Sequence, residues 1–76
     1  MIQVKGNEQC FFIQEPNRKD INGLSGEIVG NKVKIILMYK PDNIVEWLFS
    51  KEIHFEMYYF GNGARILIDL ENFRWI

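Results

Sequence analysis

Seventy-six residues and 9.1 kDa hold one small domain, because two hydrophobic cores do not fit in this length, and most large-cofactor folds are excluded. Hydrophobic residues at 47% and charged residues at 25% exclude a disordered tail. Nine basic against ten acidic residues leave a net charge of -1, which excludes a generic basic DNA binder.

From the N-terminus, Met1-Ile2-Gln3-Val4-Lys5-Gly6 shows no apolar leader, and no run approaches the roughly 18 apolar residues of a membrane span. Turn signals then recur at Gly6-Asn7, Pro16-Asn17, Asn22-Gly23, Gly30-Asn31, Pro41-Asp42-Asn43 and Gly61-Asn62-Gly63. They divide the chain into segments of strand length and favour an antiparallel meander. The predicted strands are Ile2 to Lys5, Cys10 to Gln14, Leu24 to Val29, Lys32 to Tyr39, Glu52 to Phe60 and Ala64 to Leu70. Gly30-Asn31 and Gly61-Asn62-Gly63 are read as hairpin turns, since a leading Gly supplies the φ > 0 of the primed turns that match strand twist.

Cys10 is the only cysteine, so no intrachain disulfide forms and a reducing, cytoplasmic setting is expected. Its run, Gln9-Cys10-Phe11-Phe12-Ile13, reads as a buried strand, with the thiol as a small hydrophobe rather than a nucleophile paired with His54. His54 itself is expected on a polar face with Glu52 and Glu56, without the second histidine or thiol that a metal site would need. No phosphate loop or dinucleotide fingerprint is present, because Gly61-Asn62-Gly63 lacks the Lys and the following helix. No catalytic residue, metal or cofactor is therefore assigned.

The segment Glu15-Pro16-Asn17-Arg18-Lys19-Asp20-Ile21-Asn22 is longer and more charged than a hairpin loop requires, and long loops in compact domains often carry binding. Arg18 and Lys19 are its candidate contacts. Beyond it, Asn22-Gly23-Leu24-Ser25-Gly26-Glu27-Ile28 and Val33-Lys34-Ile35-Ile36-Leu37 form an Asn-Gly turn, a Gly-x-Ile strand and an aliphatic strand. Over this short stretch the chain resembles the Sm-like barrel pattern. The resemblance implies a barrel fold; no RNA-binding residue is carried over, because the glycines are too close and Gly30-Asn31 replaces that family's Asp turn.

Residues Asn43 to Lys51 fit two periods. Val45, Trp47 and Phe49 alternate as in a strand, which is the first reading. In the second, Asn43 and Glu46 have capping-box spacing, and Ile44, Trp47, Leu48 and Lys51 fall on one helical face. The fold class is accordingly mainly β: a small antiparallel sheet or an SH3-like or Sm-like barrel of five to six strands. With one short helix near residues 43–51 it becomes α+β.

The second half of the chain is rich in aromatic residues: Trp47, Phe49, Phe55, Tyr58, Tyr59, Phe60, Phe73 and Trp75. Neighbours in a strand point to opposite faces, so Tyr58 and Tyr59 cannot both be buried on one side. At the C-terminus Phe73-Arg74-Trp75-Ile76 is expected to dock, with Ile76 in the core or in a subunit contact. The natural start and apolar finish suggest a complete small protein, of the kind often belonging to phages or mobile elements. The candidate partner-binding residues are Arg18, Lys19, Trp47, Tyr58, Tyr59, Phe60 and Trp75. The expected function is non-enzymatic binding of another protein by a homodimer, as an inhibitor or adaptor acting by steric occlusion. The alternative is a nucleic-acid or nucleotide-binding module, with exposed aromatics as stacking platforms and Arg18, Lys19, Lys32 and Lys34 on phosphates.

Overall fold

Two hairpins form where the turn chemistry places them in the computed structural model, which describes residues 1–76. Strands β3 (Ser25–Val29) and β4 (Lys32–Leu37) close with Val29 opposite Lys32 around Gly30-Asn31, and Gly30 takes φ 65°. Strands β5 (Phe55–Phe60) and β6 (Gly63–Asp69) close with Phe60 opposite Gly63, and Gly61 takes φ 52°. Strands β1 (Ile2–Gly6) and β2 (Phe11–Ile13) form a third antiparallel pair, with Val4 opposite Ile13. A last short strand, β7 (Phe73–Trp75), pairs parallel with β1, placing Ile2 beside Phe73 and Val4 beside Trp75. The protein is thus mainly β with one helix, α1 (Asp42–Ser50).

The seven strands form one sheet in the order β5-β6-β4-β3-β2-β1-β7, curved into a half-barrel. Strand β7 lies five positions from β6, yet only the 3-10 turn Leu70–Asn72 joins them. In a flat sheet five positions span roughly 24 Å, whereas the four steps from Asp69 to Phe73 reach at most about 14 Å. The sheet must therefore curl until the end of β6 approaches the start of β7. The crossing chain is fixed on its way by Leu70 N–H donating to Asn31 O at 2.9 Å, and by Asn72 Nδ2 donating to Asp69 O at 3.2 Å.

Curling turns one face inward, and strand alternation loads that face with apolar side chains. Val33, Ile35 and Leu37 of β4 meet Ile68, Ile66 and Ala64 of β6, and all six are buried. Val4, Phe11 and Ile13 continue this core across β1 and β2. Helix α1 lays Ile44, Trp47 and Leu48 on it. Each such side chain adds on the order of 2 kcal/mol when fully buried.

That burial decides residues 43–51. As a helix the segment places Ile44, Trp47 and Leu48 in the core at i, i+3 and i+4; the strand alternation would have pointed Phe49 inward beside Trp47. The expected capping box does not form. The helix begins two residues earlier than that box would place it, with Pro41 as N-cap and no side-chain cap, and Glu46 turns toward Arg18 instead. Three further expectations are corrected. There are seven strands rather than five or six, and the sheet is mixed rather than wholly antiparallel, because β7 runs parallel to β1. Ile76 is 61% exposed, with its N–H donating to Val4 O, and so lies outside the core, while Phe73 is the buried residue of the C-terminal segment. Cys10 is exposed, because Asn7 Oδ1 accepts from the N–H groups of Gln9 and Cys10 and holds residues 7–10 as a turn rather than a strand.

Helix α1 ends in a Schellman motif. Ile53 N–H donates to Leu48 O and Glu52 N–H to Phe49 O, while Ile53 and Leu48 meet in the core. The left-handed position of that motif carries Glu52, at φ 57°, where glycine is the unstrained residue. Glu52→Gly should raise stability by about 1 kcal/mol, the cost of a left-handed L-residue, read as a higher urea midpoint with unchanged slope. A lower midpoint would contradict the reading.

Candidate protein-binding surface

The outer face of the sheet carries its side chains in rows set by register. Glu27, Lys34, Leu67 and Glu56 make one row across β3, β4, β6 and β5. Lys32 and Asp69 flank it on one side, and Ile36, Arg65 and Tyr58 on the other, with Phe60 at the hairpin end. At the charged end Lys32 pairs with Asp69 and lies 3.5 Å from Glu56, and Lys34 lies 3.0 Å from Glu27. The hairpin end is aromatic instead. Tyr58 donates its hydroxyl to Glu56 Oε1 at 3.0 Å, which pushes the phenol above its usual pKa, and the Arg65 guanidinium lies 5.4 Å from the Tyr58 ring.

Several side chains converge on this end. Ile36, Tyr58, Tyr59, Phe60 and Arg65 line one shallow depression of about 240 Å³. Gly63 lets the chain leaving β4 press against the hairpin: a Cβ there would stand 2.0 Å from the Leu37 carbonyl oxygen and 3.1 Å from Met38 Cα. Met38 and Tyr39 are consequently held beside the turn, both exposed. On the inner side, a second opening of about 670 Å³ runs between α1 and β5, lined by Val45, Phe49, Ile53, Phe55 and Met57 with Glu52 and His54 at its end. Phe49 stacks edge-on against Phe55 at 5.5 Å and is still 68% exposed.

The candidate residues fall into three places. Tyr58, Tyr59 and Phe60 are together and all exposed, Tyr59 at 70%. Sequence alternation required only one of the two tyrosines to be unburied; both are, because Tyr59, on the inner side, lies beyond the reach of the helix. Trp75 is on β7, at the opposite edge in strand order, and packs edge-on against Phe11 at 4.8 Å. Trp47 is 3% exposed, so it belongs to the core and offers no ring to a partner.

Arg18 and Lys19 lie in the β2–β3 connection, which is tied down rather than free. Ile21 is fully buried, Glu15 N–H donates to Asn22 Oδ1, and Glu15 Oε2 accepts from Trp47 Nε1 at 3.0 Å. Arg18 reaches Asp20 at 3.0 Å and Glu46 of α1 at 3.2 Å, fastening the loop to the helix. Sequence reasoning missed Ile36, Met38, Tyr39 and Phe49. The exposed aliphatic Ile36 was legible in the alternation of Val33-Lys34-Ile35-Ile36-Leu37, while the others depend on where α1 begins and ends.

Cys10 lies in the β1–β2 turn, and His54 precedes β5 at the far side of the strand order. No three His, Cys, Asp or Glu side chains converge as metal ligands, and no helix is long and apolar enough to cross a membrane.

The ion pairs make stability depend on acid. Lys32 holds Asp69, and Arg18 holds Asp20, below the ordinary carboxylate value of 3.8. Each folded-state carboxylate thus binds its proton less tightly than in the unfolded chain. The stabilisation is present above that value and is lost as pH falls through the lower folded one. Between about pH 5 and about pH 2 the unfolding midpoint should fall, and less steeply in Lys32→Met, which lacks the Asp69 pair. Equal slopes in the two proteins would contradict this assignment. Comparison with protein-family models, with curated proteins and with solved structures gives no match.

Proposed function

We propose that this is a non-enzymatic binding protein that docks on another protein through the aromatic end of its sheet and acts by covering the surface it docks on. The observation that carries the reading is the exposed group of Ile36, Tyr58, Tyr59 and Phe60 around Arg65. Tyr, Phe and Arg are enriched at interface centres, where a few rigid side chains supply most of the binding energy. Register holds these residues on neighbouring strands, so little ordering entropy opposes docking. Self-association belongs to the same reading, because a chain of this size without a disulfide or metal has few other ways to extend its core.

The nucleic-acid alternative has weaker support. Of its four cations, Arg18, Lys32 and Lys34 are each engaged by carboxylates, and Lys19 alone has no ion pair. Binding carried by such charges would weaken steeply with salt.

Tyr58→Ala and Phe60→Ala both change exposed side chains and should leave the fold intact. In affinity capture from the native cells, a protein partner retained by the parent should be held at least about 10-fold more weakly by one of the two variants. Unchanged retention in both, or capture of nuclease-sensitive material that salt releases, would overturn the proposal.

A further inference from the structure

We propose that β5 pairs edge to edge with β5 of a second copy, antiparallel about a two-fold axis at Met57, to make one continuous sheet from two chains. The inference rests on the reading of this end as a protein-binding surface and assigns one of its occupants. Strand β5 ends the strand order, so one side of its backbone has no neighbour. Which residues present that side follows from the hairpin. The two-residue turn makes Phe60 and Gly63 a hydrogen-bonded pair. Hydrogen-bonded and non-bonded pairs then alternate along an antiparallel ladder. The N–H and C=O groups of Phe55, Met57 and Tyr59 accordingly point outward, as a row able to pair with another strand.

Natural edges are usually guarded by Pro, Lys or inward charge, and none stands among these three residues. Phe55, Met57 and Tyr59 are opposite Ile68, Ile66 and Ala64 and so share the inner side of the sheet. The opening lined by Val45, Phe49, Phe55 and Met57 runs along the same edge on the same side. An added strand places its own three apolar side chains there, beside the exposed ring of Phe49.

Self-complementarity selects the axis. Centred on Met57, Phe55 faces the partner's Tyr59, Met57 faces the partner's Met57, and Glu56 faces the partner's Tyr58. The last pair repeats between chains the hydroxyl-to-carboxylate hydrogen bond that Tyr58 and Glu56 make within one chain. Moving the axis to Glu56 opposes two carboxylates, and moving it to Tyr58 sets Glu56 against the partner's Phe60. Axes at Phe55 or Tyr59 run the pairing into the left-handed Glu52 or Gly61. Only the Met57 axis keeps all its pairs within the strand and its polar groups matched.

The test uses the full chain with Cys10→Ser, which removes the one exposed thiol. Its mass, measured by light scattering from about 1 μM to about 1 mM, should rise from one chain to two, since a contact made by one six-residue edge strand on each side is of the weak class. Adding Met57→Cys should give a covalent dimer with oxidised glutathione, because paired Cα atoms at a hydrogen-bonded position lie about 5.5 Å apart, within disulfide reach. Adding Tyr58→Cys instead should not, as its Cα atoms would be roughly 8 Å apart. Met57→Lys should remain a monomer. A single-chain mass at every concentration would overturn the proposal, as would a dimer linked through Tyr58→Cys and not Met57→Cys. Purified chain alone is measured, so loss of a different protein's binding in Tyr58→Ala leaves this result standing. If Met57→Lys fails to fold, the two cysteine variants still decide the matter.

Discussion

Three residues, Leu70 to Asn72, set the shape on which everything else depends. They join strands five positions apart in one sheet, and the only geometry that allows so short a link is a sheet bent round on itself. The bend produces an inside. It lets 15 buried hydrophobic residues share one cluster in a 76-residue chain, with a single nine-residue helix filling the concavity. It also keeps the accessible surface to 5108 Å², close to the roughly 5,000 Å² that size scaling gives for a folded chain of this mass.

The same bend distributes what is left outside. At one end of the strand order, β7 is three residues long, and Trp75 covers part of Phe11. At the other end, β5 is six residues long, carries aromatic side chains on both faces and extends past the helix. The charged β2–β3 loop, the other candidate binding element, is occupied with structure. Glu15 and Arg18 strap it to α1 while Ile21 plugs it into the core. The charges of this loop are spent within the fold, and exposed aromatic side chains gather at the β5 end.

The parts of the fold that were legible in the sequence are those fixed by neighbours in the chain. Gly30-Asn31 and Gly61-Asn62 specify their turns locally, and the alternation Val33, Ile35, Leu37 specifies which face of β4 is buried. Residues 43–51 were not decided locally, because nine residues fit both periods; burial of Ile44, Trp47 and Leu48 against a distant sheet chose the helix. The pairing of β7 with β1 was hidden for the same reason, since its three residues meet a strand at the other end of the chain. At the site, the exposure of Tyr58 or Tyr59 could be read from alternation. That Trp47 is core and that Arg18 is bound to Glu46, 28 residues away, could not. Strand order, and with it the identity of the open edge, is a property of long-range pairing that no local pattern carries.

The claim that β5 is the working edge of this sheet is tested most directly by amide hydrogen exchange of the full chain at low and high protein concentration. The amides of Phe55, Met57 and Tyr59 should exchange quickly when dilute and become protected when concentrated, while those of β4 and β6 stay slow throughout. Protection of these three amides that is independent of concentration, or a concentration effect confined to β7, would contradict it.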